Sequence, residues 1–378
     1  MFDRRSLLLA GGGLALAPVA SAQSGPVEAA MEVGDHRVRI AVTLNGQGPF
    51  PFVLDTGAEI SGIQVDLARR LGLAVQRQVR LGGRPFDLYA IDELVLGGAV
   101  RQEDAALFGL DRSPNLGGDG LLAAGLVTTL DSELLFESGL WRVHPDGLID
   151  PPGYEAIEAR LEAPRVAGLS TRIHGPVDVG GQRVDAVFDT GAPHAFSVPV
   201  AVADRLGLMN EDRPFAPVAS SGIQGRAAAP ARLMKAPPLT VGSETFDDER
   251  MIVRIADDTA GAVILGYPVL RRLDLALSNG RRSIGVRRNA LRPVDRPYGL
   301  SGLWVEAAGD AVRVEVVGAR SPAAEAGLLR DDVITNLGPL DRALPALRGT
   351  SGTEIPLTVR RRGETLQMTL RLRDFLND

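Results

Sequence analysis

The chain contains the same supersecondary unit twice, and that duplication limits its fold more than any other feature. VRIAVTLNGQGPFPFVLDTGA (residues 38–58) lines up with TRIHGPVDVGGQRVDAVFDTGA (171–192). Each copy then runs into a helix-like segment with the same ending, LARRLGL at 67–73 and VADRLGL at 202–208. LVLGG (94–98) and LTVGS (239–243) follow, each reading as a strand and a turn. GLLAAGLVTTLDSELLF (120–136) and AVILGYPVLRRLDLALS (262–278) close the two units with an apolar pair and a strand. Landmarks that recur in one order at a nearly constant offset mark two related units. Within each, short alternating or wholly apolar runs are broken by Gly, Pro and Asn, which predicts β structure with little helix. Each unit has about 110–130 residues, a size at which a compact unit can close its own core. A Pro-rich segment at Asp150-Pro151-Pro152-Gly153 joins them, and the Arg- and Pro-rich stretch Arg281–Pro297 reads as a solvated linker to a third region.

Composition removes many chemistries. The chain has 378 residues, 45% of them hydrophobic and 23% charged, as in a soluble globular protein of two or three domains. Its formal charge of -6, without a Lys/Arg stripe interleaved with aromatics, argues against nucleic acid as a partner. Lys235 is the one lysine and precedes Ala236, so a Gly-Lys-Ser/Thr phosphate loop is excluded. The absence of cysteine rules out a thiol nucleophile, thiolate metal sites and disulfides. His36, His144, His174 and His194 are scattered and form no His-Glu-x-x-His motif, and no Gly-x-Ser-x-Gly elbow is present. No metal or organic cofactor is implied.

The N-terminus, MFDRRSLLLAGGGLALAPVASAQ, places Arg4 and Arg5 before an apolar core from Leu7 to Leu16 and a small-residue cleavage site at Ala20-Ser21-Ala22. Residues 1–22 therefore read as an export signal, similar to the twin-arginine type. The apolar run is shorter than the roughly 20 residues that span a bilayer. The expected location is periplasmic or secreted, with no integral membrane segment after signal cleavage.

Both repeats deliver an Asp-Thr-Gly at the end of an apolar strand. Glycine permits backbone geometry closed to other residues, and the Thr hydroxyl can bond neighbouring backbone. One such turn could be an ordinary Asx-type turn; two at equivalent places in a duplicated chain would meet across a pseudo-two-fold axis. Asp55 and Asp189 would then face each other. Two carboxylates at hydrogen-bond distance cannot both ionise easily and share one proton. The ionised member can draw a proton from water while the protonated member donates to a carbonyl oxygen, which suits hydrolysis of an amide.

On these residues the chain resembles the aspartic peptidases, with two retropepsin-like halves fused in one chain, over roughly residues 35–290. The expected halves are 35–148 and 164–290. The resemblance implies that Asp55 and Asp189 are catalytic and that Thr56 and Thr190 lock the two loops together. It further implies that Gly57 and Gly191 shape those loops and that a peptide or protein is the substrate. Ile264-Leu265-Gly266 matches the apolar pair and glycine that pack behind the catalytic loop in this family; the first half departs with Leu121-Leu122-Ala123. Ala58 and Ala192 stand where pepsin-like enzymes often carry Ser or Thr. Without that hydroxyl each carboxylate loses a donor that favours its charged form, so a working range from mildly acidic to near neutral is expected. Ser220–Arg226, with Ser221, Gly222, Ile223 and Gly225, is the candidate flap, and an ordinary hairpin loop is the alternative. VRLGGRPFDLYA (79–90) is the shorter counterpart. His194, close to Asp189 in sequence, reads as a loop histidine with no role in the chemistry.

From Tyr298 the pattern changes. GLWV (302–305), SPAAEAGLLRDDVI (321–334) and a closing hairpin at EIPLTVRRRGETLQMTLRL (354–372) resemble a PDZ domain over 298–375, although that family usually has Gly where Asp331 stands. The resemblance implies that Gly302, Leu303, Trp304 and Val305 bind a C-terminal peptide ligand through backbone N–H groups and strand addition. Trp304 as a core residue is the alternative. The chain is thus expected to be mainly β, a pseudo-two-fold pair of acid-protease halves followed by a small α+β PDZ domain. An exported aspartic endopeptidase is the first expectation. A non-catalytic peptide-binding or sensor protein on the same fold, or a self-processing enzyme, are the rivals.

Overall fold

A computed structural model of the chain describes residues 25–81, 84–111, 116–148, 150–162, 169–219, 221–222, 225–226, 230–255 and 261–377, with the backbone of 15–16. The architecture is mainly β, in two similar halves.

Each half starts from a hairpin whose turn sets everything downstream. Asn45 and Gly46 take φ of 48° and 75° between strands Val38–Leu44 and Gln47–Asp55. Gly180 and Gly181 take 58° and 89° between Arg172–Val179 and Gln182–Asp189. Two consecutive residues at positive φ twist the turn in the hand of the strands, which is why Asn-Gly and Gly-Gly occupy these places. The second strand of each hairpin ends in three buried apolar residues, Phe52-Val53-Leu54 and Ala186-Val187-Phe188, immediately before the aspartate. The repeated Leu-Gly-Leu is a helix stop. Helices Val65–Arg70 and Val200–Arg205 are each closed by a glycine in the left-handed region, Gly72 and Gly207. The amides of Leu73 and Leu208 beyond them reach back to Ala68 O and Ala203 O.

The halves are joined by a layer of six strands. Asp131–Leu135 pairs antiparallel with Leu273–Ser278, setting Ser132 opposite Leu277 and Leu134 opposite Leu275. Leu140–His144 and Ser283–Arg288 flank this pair, Glu155–Ile157 lies at one edge, and Val27–Val33 on the other side continues the sheet to Val38–Leu44. One hydrophobic core runs through both halves. Asp131 ties the junction: it accepts bonds from Leu148 N (2.8 Å), Ser278 Oγ (2.8 Å) and Asn279 N (2.6 Å). Burial opposes its charge, but these donors prevail and hold its carboxyl below the usual range.

Arg160–Glu162 pairs with Arg172–Val179 in the second half. One expectation changes here: the stretch Arg281–Pro297 is no solvated linker. Its first part is the sheet strand Ser283–Arg288, with Arg287 on Asp274 (2.9 Å) and Arg288 over the Phe246 ring. Its second part lies on the second half, where Arg271 Nη1 donates to Arg292 O (2.8 Å) and Arg250 Nη1 to Arg296 O (2.5 Å). The arginines find acceptors and aromatic faces at short range, so the segment is held rather than solvated.

The C-terminal unit is a five-stranded antiparallel sheet in the order Leu303–Ala308, Ala311–Val317, Val333–Ile334, Glu354–Arg361 and Glu364–Arg371. Helices Pro322–Glu325 and Leu340–Arg348 accompany it, and it has its own core of residues such as Val314, Ile334 and Leu357. Ser321 caps the first helix by accepting from Ala324 N (3.3 Å). Asp331 has φ of 71°, a left-handed conformation that favours glycine and that Asp tolerates better than most residues.

Candidate active site

Asp55 and Asp189 stand at the ends of the two hairpin strands, and a strand laid parallel behind each fixes its height. Leu121 to Ala123 run beside Val53 to Asp55, and Ile264 to Gly266 beside Val187 to Asp189. The loops turn toward each other and are locked reciprocally. Thr56 N donates to Thr190 Oγ1 and Thr190 N to Thr56 Oγ1, both at 3.0 Å. Each hydroxyl then donates across the axis, Thr56 to Phe188 O and Thr190 to Leu54 O, both at 2.6 Å. All four bonds are buried, so each group finds its partner in the opposite half.

The glycines allow the carboxylates to close up. A Cβ on Gly57 would overlap the Asp189 carboxylate, and one on Gly191 would overlap that of Asp55. Each aspartate is also cradled by its own loop. Asp55 Oδ1 accepts from Gly57 N (3.1 Å) and Ala58 N (2.9 Å); Asp189 Oδ1 accepts from Gly191 N (2.8 Å) and Ala192 N (3.1 Å). The Ala58 methyl packs with Leu121 and Ala123, so a hydroxyl in its place would be buried among apolar side chains.

Burial raises Asp55 well above the usual carboxylate range, and the charge of Asp189 and the hydrogen bond between the two add to this. Burial also raises Asp189, but the bond from Asp55, the two loop amides and the Arg37 cation pull it back. The proton belongs to the pair, and the Arg37 cation favours the charge on Asp189.

Arg37 has no counterpart in the sequence expectations. Val53 pairs with Arg39, and continuing that register by two residues sets Arg37 opposite Asp55. By the same count Arg172 stands opposite Asp189, since Val187 pairs with His174. The signal that could have found Arg37 is an arginine before each hairpin, legible once the register is known. Its loop is held by the other half, through Tyr267 OH donating to Gly34 O (2.8 Å) and Arg296 Nη2 to Asp35 O (3.4 Å). Arg296 also donates to Pro193 O, beyond the second Asp-Thr-Gly. His194 is driven down to about 4 by burial and by the cations Arg296 and Arg37, so it is neutral at mildly acidic pH and above.

Of the candidate flap, Ser221–Gly222 pairs antiparallel with Gly225–Arg226, while Ser220, Ile223 and Gln224 lie outside the described residues. In the C-terminal unit, Gly302 has φ of 70° and lies so close to Ser321 that a side chain would collide with it. Leu303 N donates to Ser301 Oγ (3.2 Å), Trp304 is half-buried, and Val305 belongs to the local core. Among the described residues, no three His, Asp or Glu side chains are grouped to hold a metal, and no helix is long and apolar enough to cross a membrane.

No curated protein matches the chain. A model of the aspartyl protease family matches it twice, over residues 40–124 and 175–269, once in each half and each time across an Asp-Thr-Gly. The paired matches support an aspartic protease of two fused retropepsin-like halves, a hydrolase that takes peptide substrates.

Proposed function

We propose that the chain is an exported aspartic endopeptidase that hydrolyses internal peptide bonds with water activated between Asp55 and Asp189. The observation that carries this is the dyad itself: two half-buried carboxyls, each cradled by two amides and brought together by four buried threonine bonds. Ionised Asp189 takes a proton from water as the water oxygen bonds to the scissile carbon, and Asp55 gives its proton to the carbonyl oxygen. In the tetrahedral diol that results, Asp189 passes its proton to the nitrogen and Asp55 takes one back from a hydroxyl as the C–N bond breaks. The cycle consumes one water and returns both carboxyls to their starting state. Because burial raises both groups, the expected working range is mildly acidic to near neutral.

The export signal at 1–22 would deliver the enzyme to the periplasm or the medium. The C-terminal unit would act as a PDZ domain, taking the C-terminal peptide of a substrate or regulator along strand Leu303–Ala308, the outer strand of its sheet.

The test is cleavage of a mixed peptide library by the mature protein between pH 3 and 8, beside an Asp189→Asn variant of proven fold. Cuts present in the first and lost in the second are expected. An absence of cuts from the folded protein at every pH would favour a peptide-binding protein.

A further inference from the structure

The C-terminal unit touches the second half through a small cluster separate from either core. Phe375 and Leu376, 1% and 3% exposed, pack with Ala216 and Leu233, 1% and 6% exposed, and with Val218 and Tyr298. Ala216–Val218 and Ala231–Lys235 are paired strands of the second half. The apolar tail residues therefore cover a two-strand ladder far from them in the sequence.

Polar contacts fix the tail in this position. Tyr298 stacks edge-on to Phe375 at 5.6 Å between centroids, and its hydroxyl donates to Asp374 Oδ1 (2.6 Å) and accepts from Leu376 N (3.0 Å). Arg250, in the strand that pairs with Ala231–Lys235, lies 5.0 Å over the Tyr298 ring. A second contact forms where Gly318 meets Phe215 O so closely that no side chain fits, while Arg232 covers the Phe215 ring at 4.5 Å. Gly318 N donates to Gly302 O (2.8 Å), so this junction adjoins the loop at Gly302–Val305. A flexibly tethered module would present polar residues at such a boundary; here two large apolar side chains are fully withdrawn from water.

We propose that Phe375, Leu376 and Tyr298 are positioning residues for the catalytic unit. They latch the strands Ala216–Val218 and Ala231–Lys235, so that the C-terminal unit and the second half behave as one cooperative body. The consequence for catalysis rests on the peptidase function proposed above; the latch itself does not.

The experiment is amide hydrogen exchange on the full chain carrying Phe375→Ala and Leu376→Ala together. Amides of 231–235 are expected to exchange at least about tenfold faster, while those of 312–317 and 354–371 keep their protection. Tyr298→Phe, which removes only the bridging hydroxyl, should shift the same amides in the same direction by a smaller factor. Unchanged exchange at 231–235 in both variants would overturn the latch, as would equal loss of protection throughout the C-terminal sheet in the milder variant. On a short peptide substrate the double variant should raise KM and leave kcat and its pH profile in place, because the threonine bonds at the dyad are untouched. If the unmodified chain cleaves nothing, the proposed function fails, and the exchange result still decides the latch.

Discussion

The two aspartate loops share a sequence and a task but are supported differently. Behind the first, Ala123 fits with its methyl buried and its amide donating to Ser61 Oγ (3.0 Å). Behind the second, Gly266 meets His194 O at a distance that excludes any side chain. The second loop is also one residue longer before its helix. The flanks differ too. Glu59, four residues after Asp55, faces Arg172 at 3.4 Å; the residue four after Asp189 is Pro193, whose carbonyl is taken by Arg296. Arg172 of the second half thus lies at the first loop and Arg37 of the first half acts on the second, yet only Arg37 bears appreciably on the dyad. Near-identical motifs can therefore carry unequal roles, because the inequality lies in what packs behind them.

The largest expected effect comes from the dyad. Asp55→Asn and Asp189→Asn should each lower kcat/KM by at least about 10²–10⁴-fold. Stability separates from activity here. Both folded carboxyls titrate above their unfolded values, so the native state is favoured while they are protonated and is penalised as pH rises through the folded values. Either Asn variant should melt higher than the parent at neutral pH, and the gain should vanish toward pH 3 in calorimetric scans.

Next is the threonine lock. Thr190→Val leaves Thr56 N and Leu54 O buried without their partners, a cost of about 2–6 kcal/mol at about 1–3 per group, measurable by urea unfolding. Thr56→Val should match it, since the bonds are reciprocal. The supports behind the loops should not match. Gly266→Ala forces a methyl against a backbone carbonyl and should destabilise by about 1–3 kcal/mol, whereas Ala123→Gly should cost about 1 kcal/mol or less. Equal melting shifts would dissolve the contrast between the loops. The smallest effect is on pH dependence. Arg37→Met removes the cation that lowers Asp189, so the acidic limb of kcat/KM should move to higher pH. Arg172→Met should leave that limb in place and, as its pair with Glu59 is partly exposed, change stability by less than about 1 kcal/mol.

Much of the fold was legible because the repeat places its punctuation at the same points twice. Apolar run, Asp-Thr-Gly, helix stop and parallel strand are all local signals, and the pairing of Asp55 with Asp189 follows from their equivalence. What escaped depends on distant partners. Val27–Val33 buries only Ala29 and Met31 and becomes a strand because Leu140–His144 lies beside it. The arginines after Arg281 look solvated until Asp274, Phe246 and Pro193 are seen to be in reach. Arg37 acquires meaning only from a hairpin register, and Phe375 and Leu376 only from strands more than a hundred residues earlier.

The strand pair that crosses between the halves also constrains the order in which the molecule becomes competent. Asp131–Leu135 finds its partner only when Leu273–Ser278 is available, and each threonine bond of the dyad spans more than 130 residues of chain. Contacts of such long range form late, after the entropy of closing the intervening loop has been met. Until Leu273–Ser278 has been made, a growing chain lacks the strand that joins its halves, and nothing holds Asp55 and Asp189 face to face. The dyad is thus a product of the assembled chain, and neither half carries it alone.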